Sequence, residues 1–301
     1  MAPETIPMSI YLIFPILAAL FWGFAQVIGK KSVQTLSINN FNSIREVMAV
    51  ILAIVLILTI RKGNFAFLHP DNLPTILFAS LVSLVGNVLN LIFLYKAMRK
   101  GNVNIVAVAL CSSPIFVFTY SYFFFHERVT LNLIIGMILI GISIFILASI
   151  KKDNGAQRKD EVLMPILLAV ISGACQSVVI VGNKILVAKM NYYDLNLIEG
   201  VVALSAFLLL SGKSILTIFD KEYRRGTFLA LLSGITGRSL GCLFLLIGIN
   251  YVDSIIVAPI SNSSMFFAIF FGALILKEKI GPAHILSSAL GFVGAVLVIL
   301  R

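Results

Sequence analysis

Apolar runs of roughly 20 residues follow one another along almost the whole chain, at about 10–30, 41–60, 74–97, 102–125, 130–150, 162–187, 193–212, 226–250, 253–276 and 282–300. That length lets a helix cross about 30 Å of hydrocarbon. Lipid offers the backbone no hydrogen-bond partner, so only helices and closed barrels span it. The runs lack the two-residue alternation of barrel strands. The expected fold is an all-α integral membrane protein with ten transmembrane helices. These runs use about 200 of the 301 positions, which leaves loops too short for a folded soluble domain.

Composition agrees: 59% of residues are hydrophobic and 12% charged, against about 25% charged in soluble domains. The formal charge of +10 does not mark a nucleic-acid binder, because the basic residues are scattered in ones to fours beside apolar runs, as membrane flanks are. Cys111, Cys175 and Cys242 all lie inside apolar segments without paired spacing, so neither a disulfide framework nor a zinc site is expected. No small-residue cleavage site follows the first run, which therefore reads as a retained helix and not a signal peptide.

The most polar window, residues 151–160, divides the chain nearly in half and reads as a linker. Residues 215–225 read either as a short interfacial helix or as a solvated loop. Across the linker the halves match. Pro15, Gly23 and Gln26 meet Pro165, Gly173 and Gln176 at an offset of 150; Gly86-Asn87 meets Gly237-Arg238, and Glu127 meets Glu278, at 151; Gly141 and Gly291 return to 150. Five spans per half is an odd number, so the second copy enters the membrane from the opposite side. The expected organisation is two inverted five-helix repeats, residues 1–150 and 151–301, the architecture of many secondary transporters.

Three segments carry a family resemblance. Phe21-Trp22-Gly23-Phe24-Ala25-Gln26-Val27-Ile28-Gly29-Lys30-Lys31, Tyr95-Lys96-Ala97-Met98-Arg99-Lys100-Gly101 and Glu127-Arg128-Val129-Thr130 with Gly136 and Gly141 resemble the EamA branch of the drug/metabolite transporter superfamily. The second copy departs from the pattern, with Ile171-Ser172-Gly173 lacking the Trp and Glu278-Lys279-Ile280-Gly281 lacking the Arg and Thr. The resemblance implies a ten-helix carrier in which the first four helices of each half line a central cavity and the fifth and tenth pack outside. It implies alternating access for small metabolites and leaves the substrate undefined.

Charged residues inside spans cost about 2.5–3.5 kcal/mol on insertion scales and are functional candidates for that reason. Arg45, Glu199 and Arg238 are the charged substrate-binding candidates, with Arg238 deepest by position. A guanidinium there suits a carboxylate or phosphate; an ion pair of Arg238 with Glu199 that only locks helices together is the competing reading. Asn87, the repeat counterpart of Arg238, and the equivalent amides Gln26 and Gln176 join the set, with interhelical hydrogen bonding as their alternative. Asn262 joins it from a polar stretch of the ninth run, Ser261 to Ser264, where close helix packing is the alternative role. Glu46 and Glu199 are proton-coupling candidates, against simple solvation near span starts.

No nucleophile, metal-ligand or phosphate-cradling constellation accompanies them, so no enzyme activity, cofactor or metal is expected. The function expected is secondary transport of a small polar or amphipathic metabolite, amino-acid-like or similar, in the direction of export. A lipid-handling protein, a channel or a scaffold is the alternative. The expected partners are a small-molecule metabolite and membrane lipid, with a homodimer as the assembly considered and nucleic acid excluded. With no organelle signal in the sequence, the expected location is a prokaryotic plasma membrane.

Overall fold

A computed structural model describes residues 11–125, 130–148, 159–251, 257, 260, 261, 263–278 and 280–299. Among these the secondary structure is helical throughout. The first helices are α1 (Ile13–Ser32) and α2 (Ile38–Thr59). In α3 (73–100), a π-helical stretch, Leu84–Leu89, joins the α-helical pieces Leu73–Ser83 and Asn90–Lys100. In α4 (103–125), a 3-10 turn at Leu110–Ser112 precedes Ser113–Phe125. Then come α5 (Leu131–Ala148), α6 (Lys159–Leu186) and α7 (Tyr192–Ser211). A second π-helical stretch, Gly234–Gly241, interrupts α8 (224–251), and α9 (Ser264–Leu276) and α10 (Pro282–Ile299) follow. Among the described residues six helices are long and apolar enough to cross a membrane, and Ile105–Tyr120, Ile134–Ile146 and Ser264–Leu276 are shorter apolar helices. The window after α7 is a short 3-10 helix, Gly212–Phe219, whose Leu216 and Phe219 are exposed.

The halves pack on one another reciprocally. Where α1 packs against α8 and α9, α6 packs against α3 and α4, while α2 pairs with α7 and α5 with α10. Equivalent helices run in opposite directions. Along α2 and α7, Asn40 bonds to Ser214 near one end and Arg61 to Asp194 at the other. Along α5 and α10, Ser143 donates to the Ser287 carbonyl at 2.7 Å, while Gly294 lies against Gly136. This is the contact pattern of a two-fold exchange of halves.

The correspondence of α2 and α7 is closer than the fixed 150–151 offset reveals. Ser37 caps α2 through Asn40 N, and Asn191, 154 positions later, caps α7 through Tyr193 N. A side-chain acceptor at this position satisfies an amide that the first turn leaves free. The buried residues of α2, at 40–46, 49, 53 and 57, reappear in α7 at 194–200, 203, 207 and 211, each shifted by 154.

Two apolar clusters bracket the middle of the bundle. One, at the C-terminal end of α1, gathers Phe41, Tyr95, Met98 and Phe207. The other, at the opposite end, gathers Ala53, Ile57, Val82, Leu186 and Leu195.

Apolar side chains gain little by leaving lipid for a helix interface, so close backbone approach carries the packing. At Gly23 an added Cβ would lie 2.5 Å from Phe267 Cβ, 2.7 Å from Ser264 O and 2.8 Å from Ala268 N. Two of those neighbours are backbone of α9, which cannot yield without moving the helix. Gly23→Ala is expected to cost about 1–3 kcal/mol by overpacking, read as a lowered unfolding midpoint in detergent. Gly141→Ala, where a Cβ meets nothing within 4 Å, is the control expected to leave it unchanged.

Candidate functional site

Between the apolar clusters lies a cavity of about 90 Å³, walled by α1, α2, α3 and α4 of one half and α6, α7 and α8 of the other. The two π-helical stretches stand at equivalent places in the halves and bring Asn87 and Arg238 to it. A π turn carries an extra residue and re-aims side chains, and it is frequent at functional sites. Glycines let α8 come close. Gly234 lies against the Arg45 backbone, Gly237 against Ala25, and Gly241 against the Trp22 indole. Trp22 Nε1 donates to the Gly237 carbonyl at 3.0 Å, tying α1 to the π stretch.

Arg238 is 2% exposed. Its Nε donates to Glu46 Oε2 at 2.8 Å and its Nη1 to Asn196 Oδ1 at 3.3 Å. The ion pair considered for Glu199 is therefore made by Glu46 from α2. Arg45, next to Glu46 in sequence, turns the other way, as the helical advance of about 100° per residue requires. Its Nη1 donates to Asn42 Oδ1 at 3.2 Å, and its guanidinium stands 5.5 Å from the ring centres of both Phe41 and Tyr95. Those contacts are cation–π in geometry. Arg45 is buried at 5% exposed, and the two acids, Glu46 and Glu199, are 0% and 2% exposed, so neither acid is solvated as a position near a span start allows.

Glu199 is 2% exposed, and its carboxylate lies beside Asn87 and Asn183. Ser83 fixes the backbone there, donating to the Glu199 carbonyl at 2.8 Å, and Asn87 Nδ2 donates to Ser83 Oγ at 3.4 Å. Gln26 and Gln176 both face the cavity and a smaller adjoining one of about 20 Å³. Buried polar atoms without a hydrogen-bond partner among the described residues include Gln26 Oε1, Arg45 Nε, Glu46 Oε1, Asn183 Oδ1, Glu199 Oε1 and Arg238 Nη2. Unsatisfied buried polar atoms are costly, and a cluster of them marks a place where something else supplies the bonds.

Gln26, Arg45, Asn87, Gln176, Glu199 and Arg238 thus meet at one cavity. Glu46 stands behind Arg238, and Asn262 lies outside the described residues. Sequence reasoning passed over Asn90, Tyr95 and Asn183 on the cavity wall, and Asn196 behind it. Of these, Asn196 had a legible signal, since Asn42 stands 154 positions before it.

Ties close the bundle at each end. At the C-terminal end of α1, Lys30 Nζ meets Glu278 Oε1 at 2.6 Å and donates to the Gly101 carbonyl at 2.8 Å, while Val103 N donates to Glu278 Oε2 at 3.1 Å. The far end of α2 carries the Arg61–Asp194 ion pair.

A helical bundle of apolar spans in two reciprocally packed halves, with charged residues buried at their junction, is a multi-pass integral membrane protein of transporter class. The EamA-like transporter family matches residues 9–149 and again residues 163–300, and the chain belongs to that family, within the drug/metabolite transporter superfamily. The two-repeat organisation read from the sequence is the family's own. A solved structure described only as "Crystal structure of protein" superposes with a TM-score of 0.66, covering 97% of this chain and 97% of that one at 15% identity, which shows a shared fold. No curated protein matches the chain in sequence.

Proposed function

We propose that this chain is a secondary active transporter with ten spans in two inverted five-helix repeats, residues 1–150 and 151–301. It carries a small polar or amphipathic metabolite through the cavity between them by alternating access, in the export direction, in a prokaryotic plasma membrane. The observation that carries this reading is the cavity itself, buried between the halves, polar in the middle and bracketed by apolar clusters at both ends. The opposed directions of α2 and α7, and of α5 and α10, support the inverted arrangement. An odd number of spans per repeat gives that result. Of the two acids considered for proton coupling, Glu46 is engaged by Arg238, and Glu199 lines the cavity with one carboxylate oxygen, Oε1, unpartnered among the described residues.

The test is counterflow in proteoliposomes containing the full chain, screened with labelled amino acids, sugars, nucleobases and organic cations. The expected result is saturable exchange of one class, inhibited by its own unlabelled members. Flux that rises linearly with concentration identifies a channel and overturns the proposal. So does the absence of any flux from protein that unfolds cooperatively in a thermal scan.

A further inference from the structure

Between the two end ties, four charged groups among the described residues, Arg45, Glu46, Glu199 and Arg238, are buried at the middle of the junction, and two of them neutralise each other, Arg238 with Glu46 at 2.8 Å. The other two, Arg45 and Glu199, have no ion-pair partner within 4 Å among the described residues. Both line the cavity, and each keeps a buried atom without a hydrogen bond, Nε of Arg45 and Oε1 of Glu199. They occupy equivalent positions of α2 and α7, 154 apart, on helices that pack against each other. The duplicated position therefore carries a cation in one repeat and an anion in the other.

We propose that Arg45 and Glu199 recognise the two ends of a single zwitterion, Arg45 taking its carboxylate and Glu199 its ammonium group. The inference rests on the carrier reading and names the substrate class. Asn42 holds one Nη of Arg45, and the Phe41 and Tyr95 rings cover the guanidinium, which leaves the remaining donors as a planar fork suited to a carboxylate. On the other side, Glu199 is fixed through its backbone by Ser83 and presents an acceptor.

Burial makes the selection. A ligand with only a carboxylate satisfies Arg45 and leaves Glu199 desolvated with no direct ion pair, since the nearby Arg238 is already held by Glu46; a ligand with only an amine leaves Arg45 in the same condition. A ligand carrying both groups completes both sites at once. The volume of about 90 Å³ is well under the roughly 300–1,000 Å³ of sites for drug-sized ligands, and it points to a molecule of few heavy atoms.

The experiment uses proteoliposomes of the full chain and counterflow of labelled glycine, alanine, β-alanine and γ-aminobutyrate. Propionate and ethylamine, each alanine less one charged group, serve as competitors, with butyrate and propylamine for γ-aminobutyrate. Saturable exchange of at least one zwitterion is expected, with its one-charge analogues competing about tenfold or more weakly. Arg45→Gln is expected to narrow the gap for the amine and Glu199→Gln for the carboxylate, a crossed pattern that a merely structural role does not produce. Should Arg45→Gln fail to fold, Arg45→Lys keeps the charge without the fork and is expected to weaken zwitterion exchange while ethylamine stays excluded. Equal competition by the one-charge analogues overturns the proposal, as does equal loss of every ligand in stable variants. Saturable exchange of a sugar, nucleobase or organic cation with no zwitterion exchanged overturns this proposal and leaves the carrier standing. Absence of saturable exchange for every solute overturns both.

Discussion

Arg238→Ala is expected to lower the stability of the folded bundle by about 3–5 kcal/mol, the range for removing one partner of a buried ion pair. The side chains of Arg238 and Glu46 are 2% and 0% exposed, so the carboxylate left behind has neither solvent nor counter-charge. Glu46→Gln is expected to cost less, because the amide oxygen still accepts from Arg238 Nε. The paired variant Arg238→Met with Glu46→Leu separates structure from transport. Apolar side chains of similar volume in place of a buried pair recover most of the lost stability, whereas Arg238 also lines the cavity, so exchange is expected to stay absent. Thermal unfolding in detergent reads the first quantity and proteoliposome counterflow the second. A paired variant that exchanges normally would show that Arg238 only holds helices together. An Arg238→Ala protein as stable as the wild type would show that the pair is solvated.

The helices were legible because membrane spans announce themselves by length and hydropathy. The duplication was legible because Pro, Gly and Gln in α1 and α6, Gly in α3 and α8, and Glu after α4 and α9 repeat at a spacing of 150 or 151. That same fixed spacing hid the equivalence of Arg45 and Glu199. Gln26 and Gln176 lie at 150, but α1 ends at Ser32 and α6 at Leu186, 154 apart, so α6 continues four residues further beyond its amide. The register stays at 154 through α7 and returns to 151 by Arg238. A comparison made at one offset therefore sets Arg45 against Leu195 and finds nothing.

The choice of ion-pair partner was not legible for a different reason. Glu46 and Glu199 both sit in the first half of helices beside α8, and sequence distance does not distinguish them. The π-helical stretch of α8, held by Trp22 at Gly237, sets which carboxylate Arg238 meets. Trp22 has no counterpart in the second repeat, and an asymmetric contact in a duplicated fold is where the copies are free to diverge.

Glu278→Gln is expected to open the Lys30 end of the bundle. Four groups converge there: Lys30 from α1, Gly101 and Val103 from the junction of α3 and α4, and Glu278 after α9. The carboxylate thus ties the first repeat to the second at the point where α1 and α9 must part if that end is to open. The Lys30 and Glu278 side chains keep about a tenth of their exposure, 10% and 11%, which places the loss at the low end of the buried-pair range, about 2 kcal/mol. That energy corresponds to a shift of about 30-fold between closed and open populations. Cys242 on the cavity wall is a native reporter once Cys111 and Cys175 are replaced by alanine. Its alkylation rate in detergent is expected to rise by up to that factor in Glu278→Gln and in Lys30→Met. Asp194→Asn, which removes the Arg61 pair at the other end, is expected to raise it by the opposite route. Under alternating access the two ends do not open together, so combining Glu278→Gln with Asp194→Asn should restore the balance between open states without restoring the closed one, and the rate should stay high. Unchanged alkylation in all three variants, with wild-type stability, would make the ties incidental to the transport cycle. A rise confined to Glu278→Gln and Lys30→Met, or confined to Asp194→Asn, would identify the end whose closure is weaker.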